Sequence, residues 1–400
     1  MKKVTKDSSK SKSLKSYSKK SYIEEKSYTE QGDKLFIVES PGKIKKIKSI
    51  LGKGWIVKAS LGHIRKLSNK GDYQLGFQVS SDKVICEYIP ISEQSEEIIR
   101  SLRKLSRSVK EVYIASDPDR EGETIAWHLV EELGLRNYRR VVYQEITASA
   151  IQKALSQSRR LDENLVAAGR CRDCLDKLIG YRFSQKVWEI GAKSVGRVQS
   201  ATLHFLCERE KAIREFVSVP YWVLWSHYEN GVKARYIGTH LGSADPVETE
   251  EGESDQRGIF YKESDAIAVR DAALGLSHQV KSIEKKKTVK NPPLAFTTST
   301  LQQAASQHLK YSPEKTMMIA QKLYEAGHIT YMRTDSTELS QEFRSSLLSY
   351  LSQNHPDIVA EREYKAKNRS DAQGAHEAIR PTHLNPHPDI DPEWIPLYEL

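Results

Sequence analysis

Residues 111–134 read EVYIASDPDREGETIAWHLVEELG. EVYIAS is a short apolar run of strand type, DPDREG a polar loop, and ETIAWHLVEEL a stretch of helical period closed by Gly134. A second unit of the same kind lies upstream. There KLFIVES at 34–40 is followed by a Pro-Gly turn and a basic helical stretch from Lys43 to about Leu51. Strand, loop and helix used twice predict a parallel α/β sheet, whose ligand sites lie beyond the carboxyl ends of its strands. Glu39 and the loop from Asp117 to Glu121 are therefore expected at one edge.

The chain has 400 residues, 38% of them hydrophobic, enough for several cores. Its net charge of +9 favours a polyanionic partner. The first 31 residues hold nine Lys, eight Ser and four acids, and so carry +5 of that excess. Such a segment cannot bury enough surface to offset chain entropy, and a disordered basic tail is expected. No run approaches the roughly 18 apolar residues of a membrane span, and no signal-peptide core is visible, so a soluble intracellular protein is expected. Four cysteines offer no disulfide framework. Residues 147–216 read as mainly helical, and 220–290 as short β-like runs around an acidic insert between Gly242 and Asp255. Thr297–Leu309 and Ser312–Ala326 read as helices, the second with Ser312 as N-cap, Pro313 at its first position and Gly327 beyond its end.

In SDPDREGE, Asp117, Asp119, Glu121 and Glu123 alternate directly after a strand. Carboxylates so close repel one another unless a cation shares their charge, and hard oxygen ligands suit Mg²⁺. The alternative is a solvated loop whose acids favour the positive end of the following helix. In GHITYMRTDS, Tyr331 and Arg333 would share one side of an extended segment. A tyrosine can attack phosphorus and a guanidinium can stabilise the phosphate charge, although most tyrosines only pack. Cys171 and Cys174 form a lone CxxC. With Leu175 and Leu178 they fall at helical spacing, and a buried stripe is expected rather than a zinc site.

VESPGK at 38–43, SLGHIRKL at 60–67, SDPDREGETIAWHL at 116–129, GRVQSATL at 196–203, AFTTSTLQQAAS at 295–306, GHITYMRTDS at 327–336 and AHEAIRPT at 375–382 together resemble the type IA DNA topoisomerases. The seven motifs follow the family's order across about residues 33 to 400. VES with DxDxE alone would indicate only a Toprim domain. The resemblance implies a multidomain α/β plus α chain. Its parts would be a tail at 1–32, a Rossmann-like Toprim domain at 33–146 and the first part of a helical single-strand DNA-binding domain at 147–222. A β-rich arch segment at 223–290, a tyrosine-bearing domain at 291–385 and the start of a return segment at 386–400 would follow. Family members continue beyond this point, so an incomplete toroid is expected.

The resemblance further implies that Tyr331 attacks one strand and keeps its 5′-phosphate, leaving a 3′-hydroxyl. It assigns Mg²⁺ to Asp117, Asp119, Glu121 and Glu39, chiefly the Asp pair, with Glu39 also moving a proton to the leaving oxygen. Lys43 and Arg333 would surround the phosphate. DNA contacts are implied for His63, Arg172, Asp176, Gly196, Arg197, Gln199, His376 and Arg380. For Arg172 and Asp176 the simpler reading is an i,i+4 ion pair. The expected activity is ATP-independent relaxation of negatively supercoiled DNA by a monomer in the cytoplasm, at the nucleoid, acting on single-stranded segments. The alternative is a nonenzymatic single-strand DNA-binding fragment.

Overall fold

The computed structural model describes residues 32–81, 83–238, 258–288, 292–359, 376–384 and 390–400. The basic tail and the acidic insert lie outside the described residues. The chain divides into two compact units, one of residues 1–194 with 292–400 and one of residues 195–291.

The first unit is built on four parallel strands, β1 Gly32–Val38, β2 Gly54–Ala59, β3 Glu111–Ala115 and β4 Arg139–Arg140, in the order β2-β1-β3-β4. Its principal helices are α1 Ile44–Leu51, α2 Glu93–Ser108, α3 Arg120–Leu133, α4 Glu163–Lys177 and α5 Pro313–Glu325. The pleat of β1 explains its continuous apolar run. Leu35 and Ile37 pack on one face with Ile99 and Leu102 of α2 and Ile125 and Leu129 of α3. Phe36 and Val38 pack on the other with Ile47 of α1, Ile319 and Leu323 of α5, and Tyr331. A strand buried on both faces needs apolar residues at every position. The chain leaves β1 for β2 on one side and crosses to β3 on the other. The carboxyl ends of β1 and β3 thus flank the switch point at which such sheets bind ligands.

Local signals set the loop after β3. Asp119 is the N-cap of α3, its Oδ1 accepting from the Gly122 amide at 2.7 Å, and Gly134 ends the helix in the left-handed region at φ 65°. A Cβ on Gly122 would stand 2.1 Å from the Asp117 carbonyl oxygen, so the loop folds this tightly onto the helix only with glycine there. Arg140, fully buried, reaches back from β4. Its guanidinium donates to Glu123 Oε2 at 2.9 Å and to the Ser116 and Asp117 carbonyls at 2.9 Å each.

Three features bear on the expectations above. Residues 147–194 belong to the first unit, because α4 packs on α3 closely enough for a Cβ on Gly169 to stand 2.0 Å from Thr124 Oγ1. The expected division at 222/223 falls inside a strand, since Trp222–Val223 pairs antiparallel with Ile259–Phe260 in the second unit. That unit also holds the ladder Trp225–His227 with Lys233–Arg235 and the helices Arg197–Glu215 and Glu263–Leu274. Finally, the CxxC is not a buried stripe: Cys171 is exposed and Leu175 42% exposed, because α4 buries Val166 and Gly169. Cys174 Sγ instead lies 3.5 Å from Cys86 Sγ.

Two outcomes are expected. Glu123→Ala strips the buried Arg140 of its carboxylate and should lower stability by about 3–5 kcal/mol, measured by denaturant unfolding; a change below about 1 kcal/mol would contradict the role given to this pair. Mild oxidation with diamide should join Cys86 to Cys174, seen as a linked peptide pair by mass spectrometry, while Cys171 stays open to alkylation.

Candidate active site

Glu39 directly follows β1, and the turn after it brings Lys43 beneath the β3 loop. Ser40 Oγ accepts from the Gly42 amide at 3.3 Å, which closes that turn. Lys43 is fully buried and its ammonium pairs with Asp117. Glu39 Oε2 accepts from the Asp117 amide at 3.3 Å. Burial and the Asp117 charge push the Glu39 carboxyl up to about 7, Lys43 opposing them.

Tyr331 arrives from the far end of the sequence. Gly327, at φ 82°, ends the turn after α5, and Ile329 then forms an antiparallel bridge with Pro381. The Tyr331 amide donates to the Gln144 carbonyl at 2.8 Å, and Thr330 Oγ1 to the Ala378 carbonyl at 2.7 Å, which clamps the segment from both sides. Tyr331 Oη donates to Asp119 Oδ2 at 2.6 Å, and the residue is only 1% exposed. Burial and the Asp117 and Asp119 charges raise its phenol far above the ordinary value, against Arg333. The ring of His376 stacks on it with centroids 6.1 Å apart.

A second cluster lies beside the first. Glu121 accepts from His63 Nε2 at 3.5 Å and pairs with Arg333 at 3.7 Å. Burial disfavours the His63 cation, yet the hydrogen bond and charge of Glu121 outweigh it and raise its pKa. Both residues line a recess of roughly 150 Å³ with Arg172, Asp173 and Asp176. Arg172 and Asp176 form the ordinary i,i+4 pair at 3.6 Å. Next to Arg333 opens a cavity of roughly 450 Å³ lined by Thr297, Thr298, Ser299, Gln302, Thr334 and Asp335.

The structure thus joins Glu39, Lys43, Asp117, Asp119, Tyr331 and His376, with Glu121, Arg333, His63 and Arg172 alongside. Gly196, Arg197 and Gln199 belong to the second unit, at the start of its long helix, where a Cβ on Gly196 would press on the Gln199 side chain at 2.8 Å. Arg380 is turned inward: it is 8% exposed, pairs with Glu377 at 2.6 Å and Glu145 at 3.0 Å, and lies 3.9 Å over the Phe343 ring. It ties the AHEAIRP segment to the rest of the unit and lines a cavity with Glu145, Ser340, Phe343 and Thr382. Glu123 is likewise structural. Sequence reasoning missed Tyr324, whose buried ring touches both Lys43 and Tyr331. It fell unremarked within the Ser312–Ala326 helix.

Among the described residues, no three His, Cys, Asp or Glu side chains stand gathered as a ready ligand set. Asp117 is engaged by Lys43, Asp119 by Tyr331, and Glu121 faces His63 and Arg333. The donor chemistry nonetheless suits a hard divalent cation. Carboxylates from two strand ends meet here, and burial together with the Asp117 charge holds a proton on Glu39 to about pH 7.

A family model described as DNA topoisomerase matches residues 160–400, and one described as Toprim domain matches residues 34–146. The chain belongs to the bacterial type IA DNA topoisomerases, its first sheet being the Toprim domain. Curated relatives carry the name DNA topoisomerase 1. That of Rickettsia felis is 37% identical over 92% of this chain and 49% of its own length, and that of Campylobacter jejuni 38% identical over 92% and 52%. The chain therefore spans about half the length of these relatives. The solved structure of full-length topoisomerase I from Thermotoga maritima is similar with a TM-score of 0.68 and 34% identity, over 91% of this chain and 59% of that one.

Glu39 keeps a proton to about pH 7 that an unfolded glutamate releases near 4.5, so stability falls as pH rises from the lower value through the higher. Glu39→Gln removes that cost. The variant is expected to unfold at higher denaturant than the parent at about pH 8, by about 1–3 kcal/mol, the gap closing toward about pH 5; equal stabilities at both values would count against a protonated Glu39.

Proposed function

We propose that the chain carries the cleavage centre of an ATP-independent type IA topoisomerase that relaxes negatively supercoiled DNA. The observation that supports this most is the 2.6 Å hydrogen bond from Tyr331 Oη to Asp119, which sets a candidate nucleophile against the acidic loop beside a buried Lys43–Asp117 pair. In the proposed reaction Tyr331 Oη attacks the phosphorus of one strand. The Tyr331–phosphate bond forms, the bond to the 3′ oxygen breaks, Asp119 receives the phenolic proton and Glu39 gives one to the leaving oxygen. Lys43 and Arg333 counter the phosphate charge. A carboxyl titrating near neutrality suits Glu39 to that transfer, since it both holds and releases a proton at working pH. The product is a phosphodiester to tyrosine of similar energy, so reversal reseals the strand without ATP.

Asp117 and Asp119 would hold Mg²⁺, with Glu39 near them. When bound, the ion would supply positive charge to the reacting phosphate. Tyr331 is too buried for a strand to reach, so groups that cover it, His376 among them, must shift before cleavage while Asp119 stays beside the phenol. Underwound DNA supplies the single strand, bound across the recess of His63 and Arg172 and the cavity beside Arg333, and supercoiling supplies the driving energy. Among the described residues no helix is long and apolar enough to cross a membrane. A monomer acting at the nucleoid in the cytoplasm fits this reading.

An oligonucleotide labelled at its 3′ end should become covalently attached to the protein on denaturation, whereas a 5′-end label should leave on a free fragment. Tyr331→Phe should abolish the adduct while DNA binding persists. Binding without adduct by the parent would leave only a strand-binding protein. Relaxation should stop in EDTA and return with Mg²⁺; relaxation that persists in EDTA would remove the metal from the scheme.

A further inference from the structure

We propose that Tyr324 is a positioning residue for strand cleavage, its ring holding the Lys43 ammonium and the Tyr331 ring in fixed relation to each other; this rests on the proposed cleavage at Tyr331. Tyr324 lies in the last turn of α5 and is 0% exposed. Its ring centroid is 5.0 Å from Lys43 Nζ, and the Tyr331 ring meets it edge-on at 5.3 Å and 66°. One ring thus bridges the candidate nucleophile and the cation that pairs with Asp117.

The local backbone produces this contact. The Gly327 amide donates to the Tyr324 carbonyl at 2.9 Å and the His328 amide to the Leu323 carbonyl at 2.8 Å, so the chain reverses around Gly327 and lays Tyr331 back on the helix it has just left. α5 itself is anchored in the core through Ile319, Ala320 and Leu323, each 1% exposed or less. Tyr324 is therefore a rigid post between two groups that come from opposite ends of the sequence.

The physical need is specific. A buried ammonium costs several kcal/mol unless its charge is compensated, and one carboxylate leaves part of Lys43 facing the protein interior. The negative face of an aromatic ring satisfies that side. It also restricts Nζ to the region next to Asp117, where phosphoryl transfer would demand a well-placed cation. The Tyr324 hydroxyl has no hydrogen-bond partner among the described residues, so the ring face is the working part. Lys43, Asp117 and Tyr331 carry the roles already given to them, and Tyr324 acts through two of them without touching the phosphate.

The test replaces Tyr324 with phenylalanine and with mono- and trifluorinated phenylalanine, which keep the ring's shape while draining charge from its face. Single-turnover cleavage of a saturating end-labelled oligonucleotide and its dissociation constant are measured in the native and Lys43→Met backgrounds. Tyr324→Phe should cleave within about twofold of the parent, and the trifluorinated protein about tenfold more slowly, with unchanged DNA affinity. In Lys43→Met the dependence on fluorination should vanish. A flat series in the native background, or one equally steep without Lys43, would overturn the proposal. A parent that forms no adduct would instead defeat the cleavage reading itself. In that case the melting temperatures of the same proteins still decide whether the ring holds the ammonium, by falling with fluorination only where Lys43 is present.

Discussion

The buried pair of Arg140 and Glu123 sets the origin from which the acidic loop is built. Arg140 spends its donors on one carboxylate and on carbonyls at the end of β3, those of Ser116 and Asp117, at 2.9 Å each. Glu123 accepts in turn from Arg159 at 2.8 Å and from the Asp162 amide at 2.7 Å. A strand end is ordinarily the place where backbone groups lose their partners. Here a guanidinium takes them up, so Asp117 and Asp119 project from a fixed frame. A buried ion pair is a weak stabiliser when compared with apolar packing, and its retention is better explained by this positional duty.

The charges above that frame are held in check one by one. Lys43 compensates Asp117, the Tyr331 hydroxyl covers Asp119, and burial with the Asp117 charge keeps a proton on Glu39 up to about pH 7. The set holds little net charge as long as the phenol stays protonated, which its burial favours. An entering phosphate would disturb every member of this balance, because it brings negative charge to a place where one carboxyl is already forced neutral. That is the physical ground for assigning extra cations, metal or guanidinium, to the working state.

The parallel sheet, both edge loops and the Ser312–Gly327 limits of α5 were legible because each depends on local patterns that backbone physics enforces. Spacing alone did not separate Glu123 from its three neighbours; the resemblance did, by matching only Asp117, Asp119 and Glu121. Alternation after a strand does not say where a helix begins, and once α3 starts at Arg120 the acids follow helical rather than strand geometry. Tyr331 was singled out by resemblance, since its spacing alone matches any packed tyrosine. Cys171 and Leu175 misled because a helical stripe shows that one face is special without showing that it is covered. For Arg380 a sequence records the charge and not the two carboxylates folded against it.

Tyr331 and Asp119 stand 212 positions apart, and the contact that joins them is part of the same packing that closes one face of the sheet. Phe36 and Val38 of β1 share a cluster with Leu323, Tyr324, Tyr331 and Met332. Core formation and site assembly are therefore one event in this unit. The same economy makes access costly. Tyr331 and Met332 are each 1% exposed, and exposing such side chains costs about 1.5–3 kcal/mol apiece before any hydrogen bond is broken. On the proposed reading, a bound strand would offset that cost through contacts with the recess and the cavity beside Arg333. A strand that made too few of them would leave Tyr331 sealed against Asp119, and the burial that stabilises the fold would then also withhold the proposed cleavage until DNA is engaged.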